Sequence, residues 1–296
     1  EIGGAERALL GLLSALDPNK VDVDLFVNQH TGEFMSLIPK YVNLLPEVSE
    51  YTCIERSMKN ILKEGYIGIA LRRLWAKYEY KQYLKKISAK ESKHDYSIFQ
   101  YVADAVEGAL PSLEYLGEYD LAISFLQPHN IVLNKVKAKR KICWIHTDYS
   151  TMHVNHDKEL PIWSGFDHIV SISNDCTRAF LKAFPELQDK IILIENILSP
   201  FFIRQQAELD DVSTEMLNET GVTKLLSIGR FAPPKNFEAI PQICAEMERL
   251  GVNFKWYIIG YGNDSGIQTA LDKYKMHHRM ILLGKKINPY PYIKAC

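Results

Sequence analysis

From residue 4 onward, apolar side chains recur at Ala5, Ala8, Leu9, Leu12, Leu13 and Leu16, a spacing that places them on one face of a helix ending at Asp17-Pro18. The runs VDVDLFV (21–27) and YVNLL (41–45), divided by a glycine-containing loop, read as short strands. Beyond a helical insertion come DLAISFL (120–126), KICWIH (141–146), DHIVSIS (167–172) and KIILIEN (190–196). Helical patterns around HNIVLNKVKA and NDCTRAFLKAF separate these β-rich runs, which predicts βαβ units and a parallel sheet.

Residues 198–221 change character, with Ser199-Pro200 followed by a polar, acidic stretch that lacks a strand pattern. They are the expected crossing between a first domain, 1–200, and a second, 201–296. A new alternating series then starts: KLLSIG (224–229), a helix over 236–250, FKWYIIG (254–260), a helix over 264–276, RMILLG (279–284) and the beginning of another helix. No period of 20 to 50 residues repeats with matching identity, so the halves share an architecture and do not form a solenoid. The fold class is α/β, in two open-sheet domains.

Composition narrows the field. The 296 residues are 47% apolar and 24% charged with a net charge of −1, so wholesale disorder is excluded, as is a global field that would hold DNA or RNA. The odd set Cys53, Cys143, Cys176, Cys244 and Cys296, without a CxxC, fits a reducing, cytoplasmic setting. No run reaches the roughly 18 to 20 apolar residues that span a bilayer, and no charged start with a short apolar region marks an export signal, so the expectation is a chain that neither crosses a membrane by itself nor is exported. EIGGAER places a glycine turn at Gly3-Gly4 without the strand that such a turn follows, and NPYPYIKAC stops as a helix begins. The expectation is a fragment whose second domain is incomplete.

Five features carry candidate chemistry. Gly3-Gly4 opens a helix, where backbone N–H groups and the helix dipole suit a phosphate; the alternative is a structural turn with Glu6 compensating the dipole. SIGRFAPPKN ends a strand at Gly229 and delivers Arg230 and Lys235 at the carboxyl edge of a parallel sheet, a pair suited to a diphosphate, with Pro233-Pro234 fixing their spacing. WIHTDY puts His146 at another strand end, where it could contact a polar ligand or act in catalysis, and HTDYSTMHVNHD also holds His153, His156 and Asp157, a weak metal candidate without compact ligand spacing. Gly260, Gly262 and Gly266 form GxGxxxG, the geometry of a dinucleotide site, but the next strand ends in Gly284, Lys285 and Lys286 rather than the acidic residue a nicotinamide cofactor needs. Finally, residues 57–90 hold nine basic and two acidic residues, net +7, interleaved with Trp75, Tyr78, Tyr80 and Tyr83. That is the composition of a helix on an anionic bilayer, or of a solvated helix whose lysines reach over a core.

Taken together, these residues resemble the family 4 glycosyltransferases of the GT-B fold, in particular bacterial enzymes of capsular and other surface polysaccharides. GGAERALLGLL is similar to their first glycine loop and helix, ISFLQPHNIVLNKVKAKRKICWIHTDYS to their middle region, and DHIVSIS with IENILSP to the close of the first domain. LLSIGRFAPPKN, WYIIGYGND and ILLGKK follow in the order of their nucleotide-binding domain. The resemblance implies two Rossmann-like domains and retaining transfer of a sugar from a nucleotide donor, usually UDP-linked, to a surface glycan that could be lipid-linked. It implies that Arg230 and Lys235 neutralise the leaving diphosphate without a metal or other cofactor and that His146 contacts the donor sugar. Gly3 and Gly4 would offer backbone donors, Gly229, Gly260 and Gly262 would shape the nucleotide pocket, and backbone around Lys286 and Ile287 would meet the base. The basic insertion would hold the protein on the inner face of the plasma membrane. The family's pair of glutamates separated by seven residues would fall after Cys296, so this chain is expected to turn over poorly or not at all. Two other readings stay open: a nucleotide-binding α/β protein without catalysis, and a nicotinamide-dependent oxidoreductase.

Overall fold

The computed structural model describes residues 3–32, 34–88, 90–91 and 95–296, the side chains of Phe201 and Pro234 apart. Glu1 and Ile2 of the EIGGAER segment, Ala89 of the basic insertion and the Pro234 ring therefore lie outside the described residues. The chain divides into two compact units, one through Ile197 and one of Leu198–Cys296.

In the first unit, α1 (Gly4–Ala15) is followed by β1 (Asp24–Leu25) and β2 (Asn43–Leu44), which pair in parallel. Both strands are shorter than the runs that predicted them, since only Leu25 and Leu44 with their immediate neighbours find a partner strand among the described residues. The insertion is helical, as expected: after α2 (Ser49–Thr52) come α3 (Met58–Lys63) and α4 (Ile67–Leu84), separated at Gly65, whose φ of +87° breaks the helix. They pack with α5 (Ile98–Glu107) around Tyr51, Ile61, Ile69 and Val106.

A four-stranded parallel sheet completes the unit: β3 (Glu118–Ser124), β4 (Lys137–Ile145), β5 (His168–Ser171) and β6 (Ile191–Leu193), in that spatial order. Between them run α6 (Asn130–Lys135), α7 (His156–Ser164) and α8 (Asn174–Ala183). β4 begins four residues before the expected 141, at Lys137, because the basic residues of KAKRK pair along β3; Lys137 meets Glu118 at 3.0 Å and Lys139 meets Asp120 at 2.6 Å. One sheet face is covered by Phe166, Phe180, Phe184 and Trp163, all essentially buried.

The second unit opens with α9 (Pro200–Ala207), which lies within the segment expected to cross between the domains. Phe202 meets Tyr290 edge-on at 6.2 Å, and Val212 and Met216 are buried with Tyr257, Ile259 and Tyr292. Four-residue spacing of Val212 and Met216 provides the apolar anchor that an otherwise acidic stretch needs. A three-stranded parallel sheet follows in the order β7 (Thr223–Phe231), β8 (Phe254–Gly262), β9 (Met280–Gly284), with α10 (Ile240–Arg249), α11 (Ser265–Tyr274) and α12 (Tyr290–Lys294) between and after the strands. Strand, helix and strand alternate as the hydrophobic pattern predicts, with a core of Phe237, Ile240, Cys244, Phe254, Ile258 and Leu271.

Candidate functional site

At the carboxyl edge of the second unit's sheet, Arg230 is not the residue after the strand, as expected, but lies within β7, opposite Tyr261. The pairing runs two residues past Gly229 because the facing strand offers glycines: Gly229 sits opposite Gly260, and Phe231 opposite Gly262. A Cβ on Gly260 would overlap both the Gly229 carbonyl oxygen and the Phe231 ring, and Gly262 takes a φ of +128°. These two glycines are demanded by close approach: Gly260 is buried against the Phe231 ring, and Gly262 is exposed at the end of β8.

After Phe231 the chain makes a single 3-10 turn, Pro233–Lys235, and Asn236 takes the left-handed conformation (φ 49°, ψ 40°) before a second short turn leads into α10. The expected helix over 236–250 thus starts four residues late. This turn folds Lys235 back so that its aliphatic stem lies beside Gly229, 3.6 Å from where a Cβ would stand there. Arg230 and Lys235 are both exposed, and among the described residues neither side chain has a hydrogen-bond or ion-pair partner. Two exposed cations without a partner among the described residues stand at one strand end, an arrangement suited to an anion with more than one phosphate.

The neighbouring cations differ. Lys286 is engaged, with Nζ 2.5 Å from Glu215 Oε2 and 5.4 Å from the Tyr292 ring centre, while Tyr292 donates to Glu215 Oε1 at 2.7 Å. Its pKa is raised chiefly by the Glu215 hydrogen bond. Its side chain ties the end of β9 to residues 212–216. Lys285 lies 5.4 Å from the Tyr261 ring centre.

The GxGxxxG stretch holds a second observation. A Cβ on Gly266, in the first turn of α11, would overlap Glu238 Oε1, so the Glu238 carboxylate already occupies the helix start that a dinucleotide reading reserves for pyrophosphate. Gly3 is similar: it is the N-cap of α1, Gly4 is the first helical residue, and the Glu6 carboxylate lies back against Gly3. Glu6 is therefore the dipole compensator of the structural reading, and an incoming phosphate would have to displace it.

His146 follows β4 and packs on Phe125 at 4.4 Å between ring centres. Its Nε2 is buried and has no hydrogen-bond partner among the described residues. Burial lowers its pKa to about 4, so the imidazole is neutral near pH 7. The histidines behind it are divided among different carboxylates: His153 Nδ1 lies 2.7 Å from Asp95 Oδ2, and His156 stacks on Phe184 with Nε2 3.2 Å from Glu186. Among the described residues no three His, Cys, Asp or Glu side chains gather as a ligand set.

Sequence reasoning did not single out Gly11, Asn236, Glu238 or His129. Gly11 lies in the middle of α1, where a Cβ would overlap the Ile197 carbonyl oxygen; a glycine inside a helical pattern was the available signal. His129 is fully buried, pairs through Nδ1 with Ser124 Oγ at 2.8 Å, and has its pKa lowered to about 3 by burial, with His146 adding to the effect.

No family model matches the chain, and no curated protein does. Among solved structures, Anabaena Alr3699/HepE, in complex with UDP and glucose, is similar over 100% of this chain and 70% of its own, at 12% identity and a TM-score of 0.58. The fold is GT-B. That likeness shows two Rossmann-like α/β domains and fits the parallel strand orders of both units. A glycosyltransferase from Rickettsia africae aligns over 98% of this chain and 67% of its own at 12% identity with a TM-score of 0.48. S. aureus TarM aligns at 14% identity and a TM-score of 0.40 over 57% of this chain, which spans 34% of TarM.

Proposed function

We propose that this protein is a retaining glycosyltransferase that moves a sugar from a UDP-sugar to a growing, lipid-linked surface glycan on the cytoplasmic side of the membrane. The reading belongs with the family 4 enzymes that the sequence resembles, and the observation that carries it is the pair of exposed cations Arg230 and Lys235, without a partner among the described residues, at a strand end that finishes in the exposed Gly262. In support, the GT-B neighbour HepE is solved with UDP and glucose. Arg230 grips the diphosphate through two N–H donors and Lys235 adds a point charge, so the pair stabilises the negative charge that grows on the leaving group. With two side-chain cations in that role, the reaction needs no metal.

His146 holds a sugar hydroxyl. As a neutral imidazole it can donate from one nitrogen and accept at the other, and its unpartnered Nε2 is available once a ligand opens access to it. Gly3 and Gly4 present backbone N–H groups after Glu6 swings away, and backbone at Lys286 and Ile287 meets the base.

The test is thermal unfolding against UDP, UDP-sugars, GDP, ADP, NADH and NADPH. UDP and its sugars should raise Tm, by the equivalent of about 2.7 kcal/mol at 100 times the dissociation constant, and Arg230→Ala should remove the shift. A shift with a nicotinamide cofactor alone overturns the proposal. Binding of UDP with no sugar-dependent increment would instead favour the non-catalytic nucleotide binder.

A further inference from the structure

Helix α4 is apolar on two opposite sides. One side is accounted for: Ile69, Ala70 and Ala76 are buried, Arg73 donates from Nη1 to the carbonyls of Cys53 and Arg56 at 2.9 and 2.6 Å, and Tyr80 packs on Tyr101 at 5.7 Å. The other side carries Ile67, Leu71, Leu74, Trp75 and Tyr78, within about 100° of arc at 3.6 residues per turn, and every one of them is more than half exposed. Trp75 and Tyr78 lie 5.6 Å apart between ring centres, and with Leu71, Leu74, Arg72 and Ala105 they line an open groove of about 570 Å³. Single exposed apolar residues are ordinary, whereas a contiguous stripe marks an interaction surface.

Charge identifies what the stripe meets. Lys59, Lys63, Lys77, Lys81, Lys85 and Lys86 are exposed, and among the described residues none has an ion-pair partner. Lysines of the neighbouring sheet, Lys137 and Lys139, are paired with Glu118 and Asp120. By helical spacing Lys77 borders the apolar stripe, and Lys81 and Lys85 extend it toward the end of α4. A second copy of this chain would bring the +7 of residues 57–90 against the same charge, and a dense negative surface removes that repulsion.

We propose that α4 lies flat on an anionic lipid bilayer, with Leu71, Leu74, Trp75 and Tyr78 entering the headgroup boundary and Lys77, Lys81 and Lys85 contacting lipid phosphates. An apolar centre with a basic border is the composition of an interfacial helix, and aromatic rings suit the depth at which it sits. The surface shares no residue with the proposed nucleotide site, so loss of either reading leaves the other standing.

The experiment is co-flotation of the full chain with phosphatidylcholine vesicles, with and without phosphatidylglycerol, alongside emission of Trp75 compared between the wild type and Trp75→Phe. The protein should float with anionic vesicles and not with neutral ones, and added salt should release it. Trp75 emission should shift to the blue on binding, a change absent from Trp75→Phe. Each of Lys77→Glu, Lys81→Glu and Lys85→Glu should weaken binding at least about fivefold, and Leu71→Ser should weaken it without altering the salt dependence. Because these side chains are exposed, far-UV circular dichroism of the variants should match the wild type. Wild-type binding by the variant that combines Lys77→Glu, Lys81→Glu and Lys85→Glu, equal binding to neutral vesicles, or a concentration-dependent dimer that Trp75→Phe dissociates would overturn the proposal.

Discussion

Single glycines separate structural need from openness. Gly260→Ala forces a Cβ into the Gly229 carbonyl and the Phe231 ring, so it should destabilise the chain by about 2–4 kcal/mol, read as a lower urea midpoint. Gly4→Ala meets nothing within 4 Å and sits in the first turn of α1, so it should be neutral or stabilise by a few tenths of a kcal/mol. Equal effects at the two positions would contradict the close approach of β7 and β8. His129 sets a pH dependence. Its folded pKa of about 3 lies below the unfolded value near 6.5, so between these values the unfolded chain binds more protons and stability falls as pH falls. His129→Asn should flatten the slope of unfolding free energy against pH in that window by about 1.4 kcal/mol per pH unit, measured by urea denaturation from pH 6.5 to 4. An unchanged slope would mean that His129 is protonated in the folded protein.

At the scale of elements, alternation of apolar runs with helical patterns made the two larger parallel sheets legible, because buried central strands are written as continuous Val, Ile and Leu. The ends of the elements were not. β7 outruns its apolar run through Arg230 and Phe231 since pairing there depends on glycines in β8, thirty residues away, and β4 starts within charged residues that pair with acidic ones on β3. The glycines and cations of the candidate site were visible as motifs, whereas Glu238 against Gly266 and Phe125 beneath His146 needed the fold to bring them together. The turn after β7 is a related case. Asn236 occupies the left-handed region that places Lys235 beside Gly229, so Asn236→Gly should leave stability unchanged and Asn236→Val should cost about 1–2 kcal/mol and weaken nucleotide binding with it. Wild-type UDP affinity in Asn236→Val would show that the turn does not position Lys235.

Across the whole molecule, charge is distributed unevenly: a near-neutral chain concentrates +7 in one helical insertion and keeps two cations, without a partner among the described residues, at the carboxyl edge of the second unit's sheet. The first collection fits an extended anionic surface and the second a compact anion. The central claim is that Arg230 and Lys235 hold a nucleoside diphosphate. It is tested most directly by calorimetric titration of UDP and UMP into the wild type, Arg230→Ala and Lys235→Ala. The wild type should prefer UDP over UMP by at least tenfold, about 1.4 kcal/mol, and each variant should lose most of that preference while unfolding at the wild-type temperature. UDP bound by both variants with wild-type affinity, or no preference for the diphosphate in the wild type, would contradict the account.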